Sequence, residues 1–224
     1  MIELLHTDCM EYMRDLPDKA FDLAIVDPPY GINIMHAGGY PGKQNFYTYE
    51  RKEWDANAPT PEYFAELRRV SENQVVWGGN YFANNLPHSQ CWLIWDKMQR
   101  NFTKADFEMA WTSFDEASRA FNMSRATAYC NQVKIHPTQK PVALYRWLLK
   151  NYAKPGQRIL DTHLGSGSIA IACDLEGFDL VGCEIDADYI AGATKRLADH
   201  QSAPRLFDPA PAAQAQQLTI DSAE

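Results

Sequence analysis

Asp27-Pro28-Pro29-Tyr30 places a carboxylate, two ring-locked backbone positions and an aromatic hydroxyl within four residues. Proline holds φ near −65° and has no N–H to donate, so Pro28 and Pro29 present their carbonyls and flanking side chains in a stiff, acceptor-rich arrangement. A carboxylate and a carbonyl aimed at one point suit an amino group with two hydrogens to give, and Tyr30 adds a flat face on which a base can stack. The plainer alternative for such a segment taken alone is a proline-stiffened turn with an exposed tyrosine.

A second stretch, Asp161-Thr162-His163-Leu164-Gly165-Ser166-Gly167-Ser168, carries Gly165 and Gly167 where missing side chains let a ligand approach backbone N–H groups. Glu184 follows at about the 20-residue spacing from which an acid reaches ribose hydroxyls in nucleoside-binding α/β folds. No Gly-Lys-Ser/Thr follows the loop, and the third glycine of the dinucleotide fingerprint is missing. These absences argue against ATP and NAD and leave another adenosine-bearing cofactor. His163 is expected to pack in the loop rather than act as a base. Six histidines and five cysteines occur nowhere in zinc-ligand spacing, so no metal site is expected.

These motifs must be held by strands and helices, and the pattern supplies them. Ile2–His6 and 21–26 read as strands, the second a mostly apolar run stopped abruptly by Asp27, as a buried parallel strand with a loop at its carboxyl end would be. Cys9 to Leu16 reads as a helix stopped by Pro17. From Pro61, the spacing of Tyr63, Phe64, Leu67 and Val70 marks an amphipathic helix with Thr60 as its N-cap. Short β-prone stretches follow at 74–77, 91–95 and 107–111. His136-Pro137-Thr138-Gln139-Lys140-Pro141 leads into a helix bearing Leu144, Trp147, Leu148 and Tyr152. Strand 158–160, the glycine loop, helix 169–175 and strand 180–183 form a βαβ unit, which builds parallel sheet and places ligands outside the carboxyl ends of its strands. A closing helix runs to about His200. Trp77, Trp92, Trp95, Trp111 and Trp147 are expected mostly in the core, and Gly78-Gly79-Asn80-Tyr81-Phe82 is a candidate lining for a base pocket.

The 224 residues, 46% hydrophobic and 22% charged, suit one globular domain and exclude a disordered or fibrous chain. No apolar run is long enough to cross a bilayer, the first ten residues lack a signal-like pattern, and an odd cysteine count fits a reducing compartment, so a cytoplasmic location without membrane contact is expected. A net charge of −8 counts against a surface that grips a polyanion everywhere. Between Lys97 and Lys140, however, seven basic residues stand against Asp106, Glu108, Asp115 and Glu116, a local surplus that suits either a phosphate-facing side or an ordinary solvated surface.

In content and order these motifs resemble those of S-adenosylmethionine-dependent DNA amino-methyltransferases, specifically the adenine-N6 kind with the Asp-Pro-Pro-Tyr motif. Asp27–Tyr30 precedes the loop Asp161–Ser168, and the His136–Pro141 segment stands just ahead of that loop, a permuted order similar to the β-group. The resemblance spans residues 2 to 197 and thins between about 97 and 135. It implies that Asp27, Pro28, Pro29 and Tyr30 form the catalytic set. Asp161, Gly165, Gly167 and Ser168 would surround the methionine part of the cofactor, Glu184 would hold its ribose and Asp8 would face its adenine. Thr138, Lys140 and Pro141 would complete that pocket. Thr162 and His163 depart from the Pro-Phe usual at their positions.

The implied fold is a Rossmann-like α/β domain over residues 1–201, a seven-stranded mostly parallel sheet with helices on both faces and a small recognition insertion. Recognition segments are expected at about 31–60 and 97–135, with a flexible tail over 202–224. The implied reaction is methyl transfer to the N6 amine of adenine in double-stranded DNA, the target base flipped out, by a monomer or homodimer. Cytosine-N4 methylation is the near alternative, with Asp rather than Ser at position 27 favouring adenine. A binding or cofactor-sensing module without turnover is the other, and the intact motif speaks against it. Restriction–modification, prophage self-protection and regulatory methylation would all use this chemistry.

Overall fold

The computed structural model describes residues 1–33, 52–100, 105–130 and 134–203. In chain order these form β1 (Ile2–His6), α1 (Cys9–Arg14), β2 (Phe21–Val26), α2 (Pro61–Val70), β3 (Ser71–Trp77), a 3₁₀ turn (Gly79–Tyr81), β4 (Trp92–Asp96), β5 (Phe107–Thr112) and β6 (Arg119–Asn122). They continue with α3 (Arg125–Ala128), α4 (Val142–Tyr152), β7 (Arg158–Asp161), α5 (Ser168–Glu176), β8 (Asp179–Glu184) and α6 (Ala187–Ser202). Local chemistry sets several boundaries. Asp8 caps α1 by accepting the Met10 N–H, Pro61 opens α2, and Asp186 caps α6 by accepting the Asp188 and Tyr189 N–H groups. Gly177, at φ +76°, ends α5 in the left-handed region that glycine enters at no steric cost.

The strands form one sheet in the order β1-β8-β7-β2-β3-β5-β4-β6, with eight strands among the described residues where seven were expected. The addition is β6, a short edge strand paired in parallel with β4. Its sequence, Arg119-Ala120-Phe121-Asn122, is largely exposed and carries no apolar alternation, so it gives no strand signal of its own. Parallel pairing runs through β1, β8, β7, β2 and β3, and β5 pairs antiparallel with both β3 and β4. β5 and β6, which fall in the segment expected to serve recognition at 97–135, are strands of this sheet. Most of the other expected recognition segment, residues 34–51, lies outside the described residues, as do residues 204–224 of the expected tail.

Helices cover both faces. Leu23 and Ile25 of β2 point into a core with Leu144 and Leu148 of α4, Ile169 of α5 and Leu197 of α6, whereas Ala24 and Val26 pack with Met13 of α1 and Tyr63, Phe64 and Leu67 of α2. Alternate residues of one strand therefore fill opposite layers, which is why 21–26 reads as a nearly continuous apolar run. Trp77, Trp95 and Trp111 are buried, as expected, while Trp92 and Trp147 are partly exposed at the edges of the two cores.

Candidate active site

The connections on either side of β2 and β7 run in opposite directions. From β2 the chain passes through α2 to β3 on one side, and from β7 it passes through α5 to β8 on the other. In open α/β sheets the carboxyl ends of strands at such a reversal leave a crevice where ligands bind. β2 and β7 pair in parallel with Ala24 opposite Leu160, so Asp27 and the Asp161 loop leave the sheet side by side on the same rim. The two motifs, far apart in sequence, thus share one crevice.

The Asp27–Tyr30 turn is held from three directions. Asp55 accepts the N–H groups of Tyr30 at 2.7 Å and Gly31 at 3.0 Å. The Tyr30 hydroxyl donates to Asp27 Oδ1 at 2.8 Å, and Lys140 Nζ donates to Asp27 Oδ2 at 2.5 Å. The Tyr30 ring stacks on Tyr81 at 4.9 Å and meets Phe82 edge-on at 6.0 Å. Tyr81 thereby covers one face of the stacking platform expected of Tyr30 and keeps its own ring half exposed. Gly78 is required here: it sits at φ +71°, and a Cβ on it would lie 2.2 Å from the Tyr30 ring. Burial pushes the Asp27 carboxyl above its ordinary range against the pull of Lys140, with the nearby Glu108 charge adding to the rise.

Across the crevice, Glu184 is almost buried and accepts the Gly165 N–H at 2.8 Å and the Asp186 N–H at 2.9 Å, one on each carboxylate oxygen. Burial raises its pKa despite these bonds. Asp161 is buried as well and accepts the His163 N–H at 3.0 Å; burial pushes its carboxyl up to about 8, with the Asp27 and Glu184 charges adding to the effect. Ser168 opens α5 behind Gly167, which sits at φ +68° and packs so closely on α6 that a Cβ would lie 2.9 Å from that of Ala193. Ser168 Oγ and the Ser166 carbonyl are both tied to the Arg196 guanidinium, at 2.8 and 2.9 Å.

The other expected residues are placed more unevenly. Asp8 stands at the end of β1 on this rim, with its carboxylate engaged as the α1 cap. Thr138 bonds the His136 ring at 3.1 Å, and that ring packs against Gly165 and Tyr189. Pro141 is the N-cap position of α4. Lys140, grouped with the cofactor pocket by motif, carries its ammonium to Asp27 instead. His163 is a packing residue here: its ring bonds Thr162 at 2.9 Å and meets Tyr63 edge-on, and burial pushes its pKa down to about 4. The basic surplus of 97–140 is not all on the surface, since Lys97 and Lys140 are both buried.

Four contributors carried no sequence signal. Lys52 binds Asp186 and Asp188 at 2.7 and 2.6 Å, and the Trp54 ring packs on His136 at 5.0 Å. Asp55 then caps the Asp27–Tyr30 turn, so this short segment straps one half of the crevice to the other. Glu108, on β5, pairs with both Lys97 and Lys140. Each stands alone in a polar loop or a strand, where no spacing to its neighbours marks it.

Sheet order and the meeting of the two motifs on one rim define a Rossmann-like α/β fold with a candidate site at a strand-order reversal. The chain belongs to the N6/N4 DNA methylase family, whose model, described as DNA methylase, matches residues 82–195. The type II methyltransferase M.HinfI of Haemophilus influenzae is 24% identical over 90% of this chain and 69% of its own length. In fold, the chain matches the solved M1.HpyAVI–SAM complex with a TM-score of 0.55, at 22% identity over 88% of this chain and all of that one. It also matches the cytosine-N4-specific PvuII DNA methyltransferase with a TM-score of 0.58, at 13% identity over 89% of this chain and 90% of that one.

Proposed function

We propose that this protein transfers a methyl group from S-adenosylmethionine to the exocyclic N6 amine of adenine in double-stranded DNA, with the target base flipped out of the helix. The observation that carries this reading is the meeting of the Asp27–Tyr30 turn and the Asp161–Ser168 loop on one rim of the sheet. The residues present fit the cofactor. Glu184 uses one backbone N–H on each oxygen and retains lone pairs for ribose hydroxyls. Next to it, Ile185 exposes 66% of its surface, an apolar face that a purine would cover. Asp161 supplies a carboxyl group that an arriving ammonium would draw into its ionised form, and Gly165, Gly167 and Ser168 shape the space beside it. Asp8, Thr138 and Pro141 would complete the pocket. When bound, S-adenosylmethionine supplies an electrophilic methyl group on a sulfonium.

An exocyclic amine is a poor nucleophile because its lone pair is delocalised into the ring. Asp27 and the Pro28 carbonyl accept its two hydrogens, which favours a tetrahedral nitrogen and localises that pair. Pro29 keeps the carbonyl from turning away. The burial that raises Asp27 makes its carboxylate a better acceptor for the proton the nitrogen gives up. Holding the amine in line supplies several kcal/mol, within the roughly 7–11 available to well-oriented reactions. Tyr30 and Tyr81 form the aromatic wall that offsets the few kcal/mol of extruding a base.

Labelled-methyl transfer to unmethylated plasmid DNA, followed by nucleoside analysis, tests the reading. N6-methyladenine is the expected product, and N4-methylcytosine would overturn the choice of base. Asp27→Ala should bind S-adenosylmethionine normally and lose at least about 100-fold in single-turnover transfer, the scale of a lost transition-state acceptor. Near-normal turnover in that variant would exclude the role given to Asp27.

A further inference from the structure

Four charges close on one another behind Asp27. Lys97 Nζ lies 2.8 Å from Glu108 Oε1, Glu108 Oε2 lies 3.2 Å from Lys140 Nζ, and Lys140 Nζ lies 2.5 Å from Asp27 Oδ2. The Lys140 side chain is only 1% exposed, so its ammonium depends on these two carboxylates, with the Tyr30 hydroxyl at 3.4 Å, in place of water. The Trp77 and Tyr30 rings wall it in, at 5.2 and 5.9 Å from the ammonium. Two cations balance two carboxylates, and Glu108 is held by both cations: burial opposes its ionisation, yet Lys140 and Lys97 pull its pKa down to about 2. It is therefore ionised throughout the working range of the protein.

This arrangement bears on how Asp27 can receive a substrate. Lys140 and the Tyr30 hydroxyl already take one lone pair on each carboxylate oxygen, so an arriving amine must share Asp27 with both, and the ammonium on Oδ2 draws off the charge that the amine would use. A buried ammonium cannot simply withdraw, because leaving it unpaired would cost several kcal/mol. We propose that Glu108 is a positioning residue for methyl transfer: anchored by Lys97, it offers Lys140 a second carboxylate, onto which Lys140 shifts when the target amine takes Asp27. The movement is short, since Lys140 already reaches both acids, and it transfers no proton. The inference rests on the reading of Asp27 as the acceptor of the target amine.

Single-turnover transfer to unmethylated plasmid DNA, measured across pH, tests it. The groups facing Asp27 are Lys140 from the segment before α4, Glu108 from β5, Asp161 from β7, Tyr145 from α4 and Tyr30 from its own turn. Transfer should fall at low pH as Asp27 takes up a proton. Glu108→Gln removes a like charge and leaves Lys140 undivided on Asp27. It should slow transfer by about tenfold or more, keep S-adenosylmethionine affinity within about twofold, and move the acid limb to lower pH. Lys97→Met leaves Glu108 to draw Lys140 away from Asp27, so its acid limb should move to higher pH. Glu108→Asp, which keeps the charge, should recover most of the rate. Opposed shifts are beyond a merely structural defect, which would lower both rates and move neither limb. A Glu108→Gln variant with the wild-type rate and limb, or two limbs moving in the same direction, would overturn the proposal. Asp27→Asn separates the two levels of inference. If it is inactive while Glu108→Gln is normal, only the role of Glu108 falls; if it is fully active, the role of Asp27 falls as well.

Discussion

At Asp161 a carboxylic acid is seated where it stays protonated to about pH 8. An unfolded aspartate ionises near about pH 4, so between those values the unfolded chain releases a proton that the folded chain keeps. Stability therefore falls as pH rises across that window, and the loss is complete above the folded pKa. Asp161→Asn removes the titration while leaving an oxygen for the His163 N–H. In thermal melts without cofactor the variant should exceed the wild type by on the order of a few kcal/mol at pH 8, the difference shrinking toward pH 5. A difference independent of pH would show that Asp161 is not the titrating group. The residue types here were legible, because an acid before a glycine loop and an acid before two prolines stand out in any sequence. Their protonation was not, since it depends on how far each is buried and which charges lie opposite.

Among the elements, the segment from Lys52 to Asp55 has the largest effect for its length. Its carboxylate at Asp55 satisfies two N–H groups of the Asp27–Tyr30 turn, and each buried donor left unpaired costs about 1–3 kcal/mol. Asp55→Ala should lower stability by roughly that much in urea titration and slow methyl transfer by at least about tenfold through a loosened Tyr30. Asp55→Asn, with one carbonyl oxygen, should restore most of both. An alanine variant with an unchanged rate would show that the turn holds itself. Strands β2, β7 and β8 and helices α2, α4 and α6 were legible because each buries a face whose apolar period is written in consecutive residues. β6 was not, because an exposed edge strand is held by backbone bonds to β4 that no side-chain pattern records.

For the whole molecule, charge is distributed inward as well as outward. The net charge is −8, and within the most basic stretch Lys97 and Lys140 neutralise the carboxylates of Glu108 and Asp27 while Arg100 is engaged by Asp96 at 2.7 Å. Among the described residues of that stretch, these three cations are committed to acids and not to a phosphate backbone. The logarithm of DNA affinity should therefore fall against the logarithm of salt with a slope shallower than about −4, corresponding to about four phosphates or fewer. Fluorescence anisotropy between about 50 and 200 mM salt measures it, and a slope near about −8 would reveal an extended basic face.

The sequence alone determined the elements that are local: a proline-stiffened turn, a glycine loop followed by an acid at the end of the next strand, and a βαβ unit to carry them. These depend on spacings of a few residues, which backbone geometry converts directly into turns, helices and strands. Tertiary structure alone decided that Lys140 reaches Asp27 across 113 residues, that Glu108 stands between two lysines, and that Asp55 closes the turn. Those contacts follow from β2 lying beside β7 and β5 beside β3. That order is fixed by the joint burial of both sheet faces, a property of the assembled layers and of no single stretch of chain.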